Sequence, residues 1–110
     1  MPFPDAHRAL VPDEKLLGYL LNLNHPVGGP KAAWFASIGY TIDNADDLRA
    51  DLLLVASSTA DFISTRSPYG VKFEVTGEIG RSTFRPARVV TIWMVSGNDL
   101  PRLITAYPAD

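Results

Sequence analysis

The apolar residues of this chain change their spacing once, near Ser57-Ser58, from the helical period of about 3.6 to the strand period of about 2. Before that point Leu16, Leu17, Leu20 and Leu21 make one helical stripe. Leu48, Leu52 and Val55, widened by Leu53 and Leu54, make another. After it, Val71, Phe73, Val75 and Ile79 alternate with Lys72, Glu74, Thr76 and Glu78, the pattern of a strand with one dry and one open face. Helices first and strands afterwards imply an α+β fold, with N-terminal helices packed on one face of a four-stranded antiparallel sheet. At 110 residues the chain can bury a core without staples and is expected to form one domain over 1–110.

The strands are expected over 62–66, 71–79, 88–96 and 102–107, the last stopped by Pro108. Ser67-Pro68-Tyr69-Gly70 has the proline and glycine placement of a type I turn. Residues 80–86 read as a loop carrying Arg81 and Arg85. In the helical half, Pro12-Asp13-Glu14 starts a helix that runs to Leu21, and Gly18 weakens it by about 1 kcal/mol while allowing close packing. Asn44 is expected to cap the third helix, with Asp46 and Asp47 in its first turn. Residues 1–10 read as an extended lead-in whose Phe3 and Leu10 cover core edges.

Residues 22–35, Asn-Leu-Asn-His-Pro-Val-Gly-Gly-Pro-Lys-Ala-Ala-Trp-Phe, hold the first candidate site. Gly28 and Gly29 permit a sharp turn after Pro26, and Pro30 suits the first helical position. The helix is expected over 31–38, with Trp34, Phe35 and Ile38 on one face and Gly39 ending it in left-handed geometry. Its N-terminus, flanked by Lys31 and His25, suits a phosphate or carboxylate. The same residues also suit a plain turn, with Lys31 in water and His25 bonded to the loop.

The second candidate is the last hairpin. A three-residue loop at Gly97-Asn98-Asp99 pairs Ser96 with Leu100, Trp93 with Leu103, Thr91 with Thr105 and Val89 with Tyr107. Trp93, Leu103, Thr91, Thr105, Val89 and Tyr107 then share one face, leaving Val90, Ile92, Met94, Ile104 and Ala106 for the helices. An open face with Thr91, Trp93, Thr105 and Tyr107 beside Lys72 and Glu74 suits nucleotides, since bases stack on aromatic rings and cations hold phosphates. The alternative sends Trp93 and Tyr107 into the core and makes the threonines ordinary strand formers.

Composition narrows the chemistry. Without cysteine there is no disulfide and no thiolate zinc site, and His7 and His25 have no metal-ligand spacing, so no metal and no cofactor are expected. The longest apolar run, 52–56, is far too short to cross a bilayer, and Met-Pro-Phe-Pro-Asp has no leader pattern. A cytoplasmic protein without a membrane contact is the expectation. Net charge is −2, but residues 1–61 carry four cations against eight carboxylates, and residues 62–110 carry six against four. That asymmetry directs an anionic ligand toward the strand-rich half.

Leu-Leu-Gly-Tyr-Leu-Leu-Asn, His-Pro-Val-Gly-Gly-Pro-Lys-Ala with Phe35 and Gly39-Tyr40, Ser67-Pro68-Tyr69-Gly70, Thr91-Ile92-Trp93 and Leu103-Ile104-Thr105-Ala106-Tyr107-Pro108 span nearly the whole chain. In these stretches it resembles a bacterial domain family of unknown function. The element order is similar to the barnase–EndoU–colicin–RelE group, which includes small ribonuclease toxins. The resemblance implies a metal-independent endoribonuclease in which a 2′-hydroxyl attacks the neighbouring phosphate. His25, Lys31, Glu74, Thr91, Thr105 and Tyr107 would be catalytic, with His25 and Glu74 as acid and base and Lys31 as a cation for the phosphorane. Lys72, Arg81, Arg85, Trp93 and Arg102 would bind substrate. The chain lacks the strong basicity of many such toxins. RNA is the implied partner, with a small cognate antitoxin or immunity protein and a monomer or homodimer. A non-catalytic interaction module, an antitoxin or immunity-type partner using the open sheet face, and an anionic-metabolite binder are the competing readings.

Overall fold

A computed structural model describes residues 2–27, 29–58, 61–80, 83 and 85–109. Strands β1 (Ile63–Ser67), β2 (Gly70–Ile79), β3 (Ala87–Val95) and β4 (Arg102–Pro108) form one antiparallel sheet in chain order. Helices α1 (Asp13–Lys15, continued by a π-helical segment over Leu16–Leu20), α2 (Gly29–Ser37) and α3 (Ala45–Ser58) precede them. The fold is α+β, as the change of period requires.

The core lies between the helices and one face of the sheet. Leu16 and Leu20, Phe35, and Leu48, Leu52 and Val55 meet Phe73, Val75, Ile79, Val89, Trp93 and Leu103 there, all buried. Each aliphatic side chain so buried stabilises the fold by about 1.5–3 kcal/mol. Leu54, expected to widen the α3 stripe, is exposed instead.

The lead-in enters the core through Phe3, whose ring stacks on Phe73 at 4.8 Å between centroids. Leu10 contributes through its backbone rather than its side chain. Its N–H donates to the Pro101 carbonyl at 2.8 Å, and its carbonyl accepts from Leu103 N–H at 2.9 Å, a parallel bridge along the β4 edge. Its side chain is exposed. The bridge seats α1 beside β4.

Three local expectations are corrected. The first helix is not α-helical throughout: Leu21 N–H reaches back five residues to the Leu16 carbonyl at 3.0 Å. A π-turn inserts a residue into the helical register and turns the side chains around it. Gly18, at its centre, packs on nothing, since a Cβ there would meet no atom within 4 Å. The third helix is capped by Thr41, not Asn44. Thr41 Oγ1 accepts from Asp43 N–H, while Asn44 Oδ1 accepts from Thr41 N–H at 2.7 Å, a reciprocal box that opens a 3₁₀ turn ahead of α3.

On β3 the open face is the opposite of the one expected, whereas Thr105 and Tyr107 of β4, with Lys72 and Glu74 of β2, stay on the open side. Trp93 and Leu103 are paired as anticipated, but a bulge follows. Ile92 faces Thr105, Thr91 faces Ala106 and Val89 faces Pro108. Thr91, Trp93 and Val89 are fully buried under the helices, whereas Val90, Ile92 and Met94 lie on the partly exposed side. The physical reason is a polar bond that lets threonine go inside. Thr91 Oγ1 donates to the Val75 carbonyl at 2.7 Å and accepts the Trp93 indole N–H at 2.8 Å. Both polar groups are satisfied, so burying the largest aromatic surface wins.

Candidate active site

The loop between α1 and α2 is wound tightly by its own polar residues. Asn22 Oδ1 accepts from Asn24 N–H at 3.0 Å, an Asx turn. His25 N–H donates to the Asn22 carbonyl at 3.1 Å, and the His25 carbonyl accepts from Gly29 N–H at 2.9 Å. His25 Nδ1 itself accepts from Val27 N–H at 3.0 Å. An imidazole whose Nδ1 accepts carries its proton on Nε2 when neutral, so His25 presents Nε2–H as a donor.

This loop brings His25 and the start of α2 onto Tyr19, which the π-turn projects from the first helix. Lys31 Nζ donates to Tyr19 Oη at 2.6 Å and lies 5.0 Å from the ring centroid. Lys15 Nζ lies 5.6 Å from the same centroid. The His25 ring meets Tyr19 edge-on, with centroids 5.0 Å apart. Tyr19 titrates below its ordinary 10.0. The main cause is the Lys31 hydrogen bond; burial opposes it, and Thr105 with the charges of Lys31 and Lys15 assists.

Thr105, on β4, completes the cluster. Its Oγ1 is buried and meets no partner at hydrogen-bond geometry among the described residues, although it is close enough to lower the Tyr19 value. A buried hydroxyl without a partner costs free energy. Here it lies beside the Tyr19 phenol, around which Lys31, Lys15 and His25 gather, and an anion's oxygen would satisfy it. The arrangement can hold an oxyanion and exchange a proton.

The other sequence-derived candidates lie elsewhere. Thr91 and Trp93 are inside the core and face no site. Glu74 shares a cross-strand row with Ile92 and Thr105, two strand spacings or about 10 Å from the latter, in a separate depression with Asp61, Thr76 and Arg88. Tyr107 pairs with Val90 at the next row and is partly exposed. Lys72 is exposed opposite Met94. Arg85 donates to the Ser37 carbonyl at 3.1 Å, at the end of α2 away from Lys31. Arg102 lies 3.8 Å from Glu14 beside α1. Arg81 falls outside the described residues. Among the described residues no three His, Asp or Glu side chains are grouped as metal ligands, and no helix is long and apolar enough to cross a membrane.

Neither Tyr19 nor Lys15 is marked as functional by the sequence pattern. Tyr19 stands within the Leu-Leu-Gly-Tyr run, between positions of an apolar stripe, and its only visible signal was a polar ring where a leucine would pack.

One chain of a contact-dependent growth inhibition toxin–immunity protein complex from Klebsiella pneumoniae 342 has the same fold. It superposes with a TM-score of 0.70 at 13% identity, over 96% of this chain and 97% of that one. No curated protein sequence matches. Residues 2–110 match the family described as domain of unknown function DUF6883, and the chain belongs to that family.

Proposed function

We propose that this domain is a small metal-independent endoribonuclease of the bacterial toxin type. The observation that carries the reading is the 2.6 Å contact between Lys31 and Tyr19, with His25 against the same ring and the partnerless Thr105 hydroxyl beside it. Three donors gathered about a phenol of lowered pKa suit one phosphate. The shared fold with a chain of a toxin–immunity complex supports a toxin-related or immunity-type role.

In this chemistry Tyr19, as a phenolate held by Lys31, takes the proton from the ribose O2′ as the O2′–P bond forms. The Lys31 ammonium gives a proton to O5′ as the P–O5′ bond breaks. The phenol then returns its proton to the lysine amine across their 2.6 Å contact, restoring both groups. The products are a 2′,3′-cyclic phosphate and a 5′-hydroxyl. His25, through Nε2–H, and Thr105, through Oγ1–H, donate to the non-bridging oxygens and stabilise the phosphorane. His25 is assigned as a donor rather than a base because its Nδ1 is engaged by Val27 N–H. Glu74 and Tyr107 border the RNA path across the sheet face, with Lys72 beside them.

The test is incubation of the purified protein with total RNA without divalent metal. Cleavage leaving cyclic phosphate ends is expected, falling by about 10²-fold or more in Tyr19→Phe and in Lys31→Met. Intact RNA, or equal cleavage by the double variant, overturns the reading.

A second reading, an antitoxin or immunity-type module, draws on the half-buried apolar strip Val90, Ile92, Met94 and Ile104 with the exposed Tyr107. Trp93 cannot anchor such a partner because it is fully buried. On this reading Tyr107→Ala abolishes partner capture while Lys31→Met leaves it intact.

A further inference from the structure

Beside the Lys31–Tyr19 pair, a cavity of about 230 Å³ opens between α1 and the β3–β4 hairpin. Met94 and Ile104 form its apolar wall, and Lys15, Glu14, Asp99 and Arg102 stand around it. Lys15 belongs to both places: it lines this cavity and its ammonium lies 5.6 Å from the Tyr19 ring centroid. The cavity is therefore joined to the proposed phosphate site through Lys15, and the chemistry above makes no use of it.

We propose that this cavity receives one nucleobase of the RNA strand, next to the phosphate at Lys31 and Tyr19, and selects bases that carry an exocyclic amino group. The proposal rests on the ribonuclease reading and adds a substrate subsite to it. Size decides how much enters. Pockets for whole drug-sized ligands run about 300–1,000 Å³, so this one takes a single flat ring system. Polarity decides which. The methionine and isoleucine wall suits the face of a base, which stacks without regard to sequence. Glu14 and Asp99 offer only acceptors to its edge. Guanine, adenine and cytosine each bring an exocyclic amino donor there, whereas uracil has only its N3–H, flanked by two carbonyl oxygens that a carboxylate repels. Glu14 is partly committed to Arg102 at 3.8 Å, which leaves Asp99, in the exposed turn, as the principal reader of the edge. Lys15 and Arg102 balance the charge of the flanking phosphates.

The experiment uses short RNAs with a single 2′-hydroxyl, every other sugar being 2′-deoxy, and with A, C, G or U placed on each side of it in turn. Cleavage is measured for the wild type, Asp99→Ala and Met94→Ala. Fluorescence anisotropy of fully deoxy versions reads binding separately, and circular dichroism checks that the variants are folded. KM and Kd are expected to be about tenfold higher for uracil than for the best amino-bearing base on one side of the linkage. Asp99→Ala should erase that difference, Met94→Ala should weaken binding of all bases, and kcat should change little in either. Cleavage equally tight for all four bases on both sides sinks the subsite and leaves the ribonuclease reading standing, as does discrimination that survives Asp99→Ala. If no RNA is cut, the binding arm still decides. Base-dependent affinity lost in Asp99→Ala upholds the subsite while the ribonuclease reading falls, and base-blind binding overturns both.

Discussion

Lys31 and Tyr19, twelve positions apart and on different helices, meet at 2.6 Å, and that single bond is the main reason the phenol ionises below 10.0. Neither residue is placed by its own element alone. The π-turn sets the position of Tyr19, half-buried against the core, and the turns over 22–27 return the chain so that Lys31 meets it.

Removing the lysine should therefore be visible before any substrate is added. In an ultraviolet titration, the earliest tyrosine transition is expected to disappear in Tyr19→Phe and to move to higher pH in Lys31→Met. The sign for stability follows. A phenol whose folded value is depressed stabilises fully only above its unfolded value of 10.0, and that contribution is lost as pH falls through the lower folded value. Cleavage should rise with pH toward the folded value, and Lys31→Arg should keep more of this profile than Lys31→Met.

His25 serves both the loop and the proposed chemistry, and one substitution separates the two. Asparagine can accept from the Val27 N–H as the imidazole Nδ1 does, but it cannot reproduce the Nε2–H donor. His25→Asn is expected to unfold at nearly the wild-type denaturant midpoint while cleavage falls by about 10²-fold. A large loss of stability with unchanged cleavage would reverse the assignment.

Thr91 makes no contact with the proposed site, so its replacement should report on the core. Thr91→Val removes the acceptor of the buried Trp93 N–H and the donor to Val75. A loss of about 1–3 kcal/mol is expected in urea unfolding. In Trp93→Phe, where no indole N–H remains to be orphaned, the further cost of Thr91→Val should be smaller. Additive costs in that cycle would show the bond to be unimportant.

Two turn glycines should respond differently to alanine. Gly70 has φ +137, and a Cβ there would lie 2.2 Å from the Val95 carbonyl oxygen. Gly97 has φ +56 with nothing within 4 Å. Gly70→Ala is expected to cost about 1–3 kcal/mol or more, and Gly97→Ala about 1 kcal/mol, by denaturant unfolding.

Local pattern carries far in this chain. The stripe at Leu48, Leu52 and Val55, the alternation from Val71 to Ile79 and the left-handed Gly39 all fold as their spacing and chemistry require. His25 and Lys31 both reach Tyr19 because only five residues of loop and helix start separate them, a distance that turn chemistry controls. What the residues determined by themselves is therefore the order of elements and the closeness of His25 and Lys31 in the proposed site. Only the tertiary structure decided which face of β3 goes inside, because a strand apolar on both sides satisfies the same alternation either way up. It also decided the bulge between Ile92 and Trp93, since one extra residue in a ladder leaves no trace in periodicity. And it decided the union of Tyr19, Lys31 and Thr105, because a contact between a π-turn, a helix start and an edge strand depends on packing that no local spacing encodes.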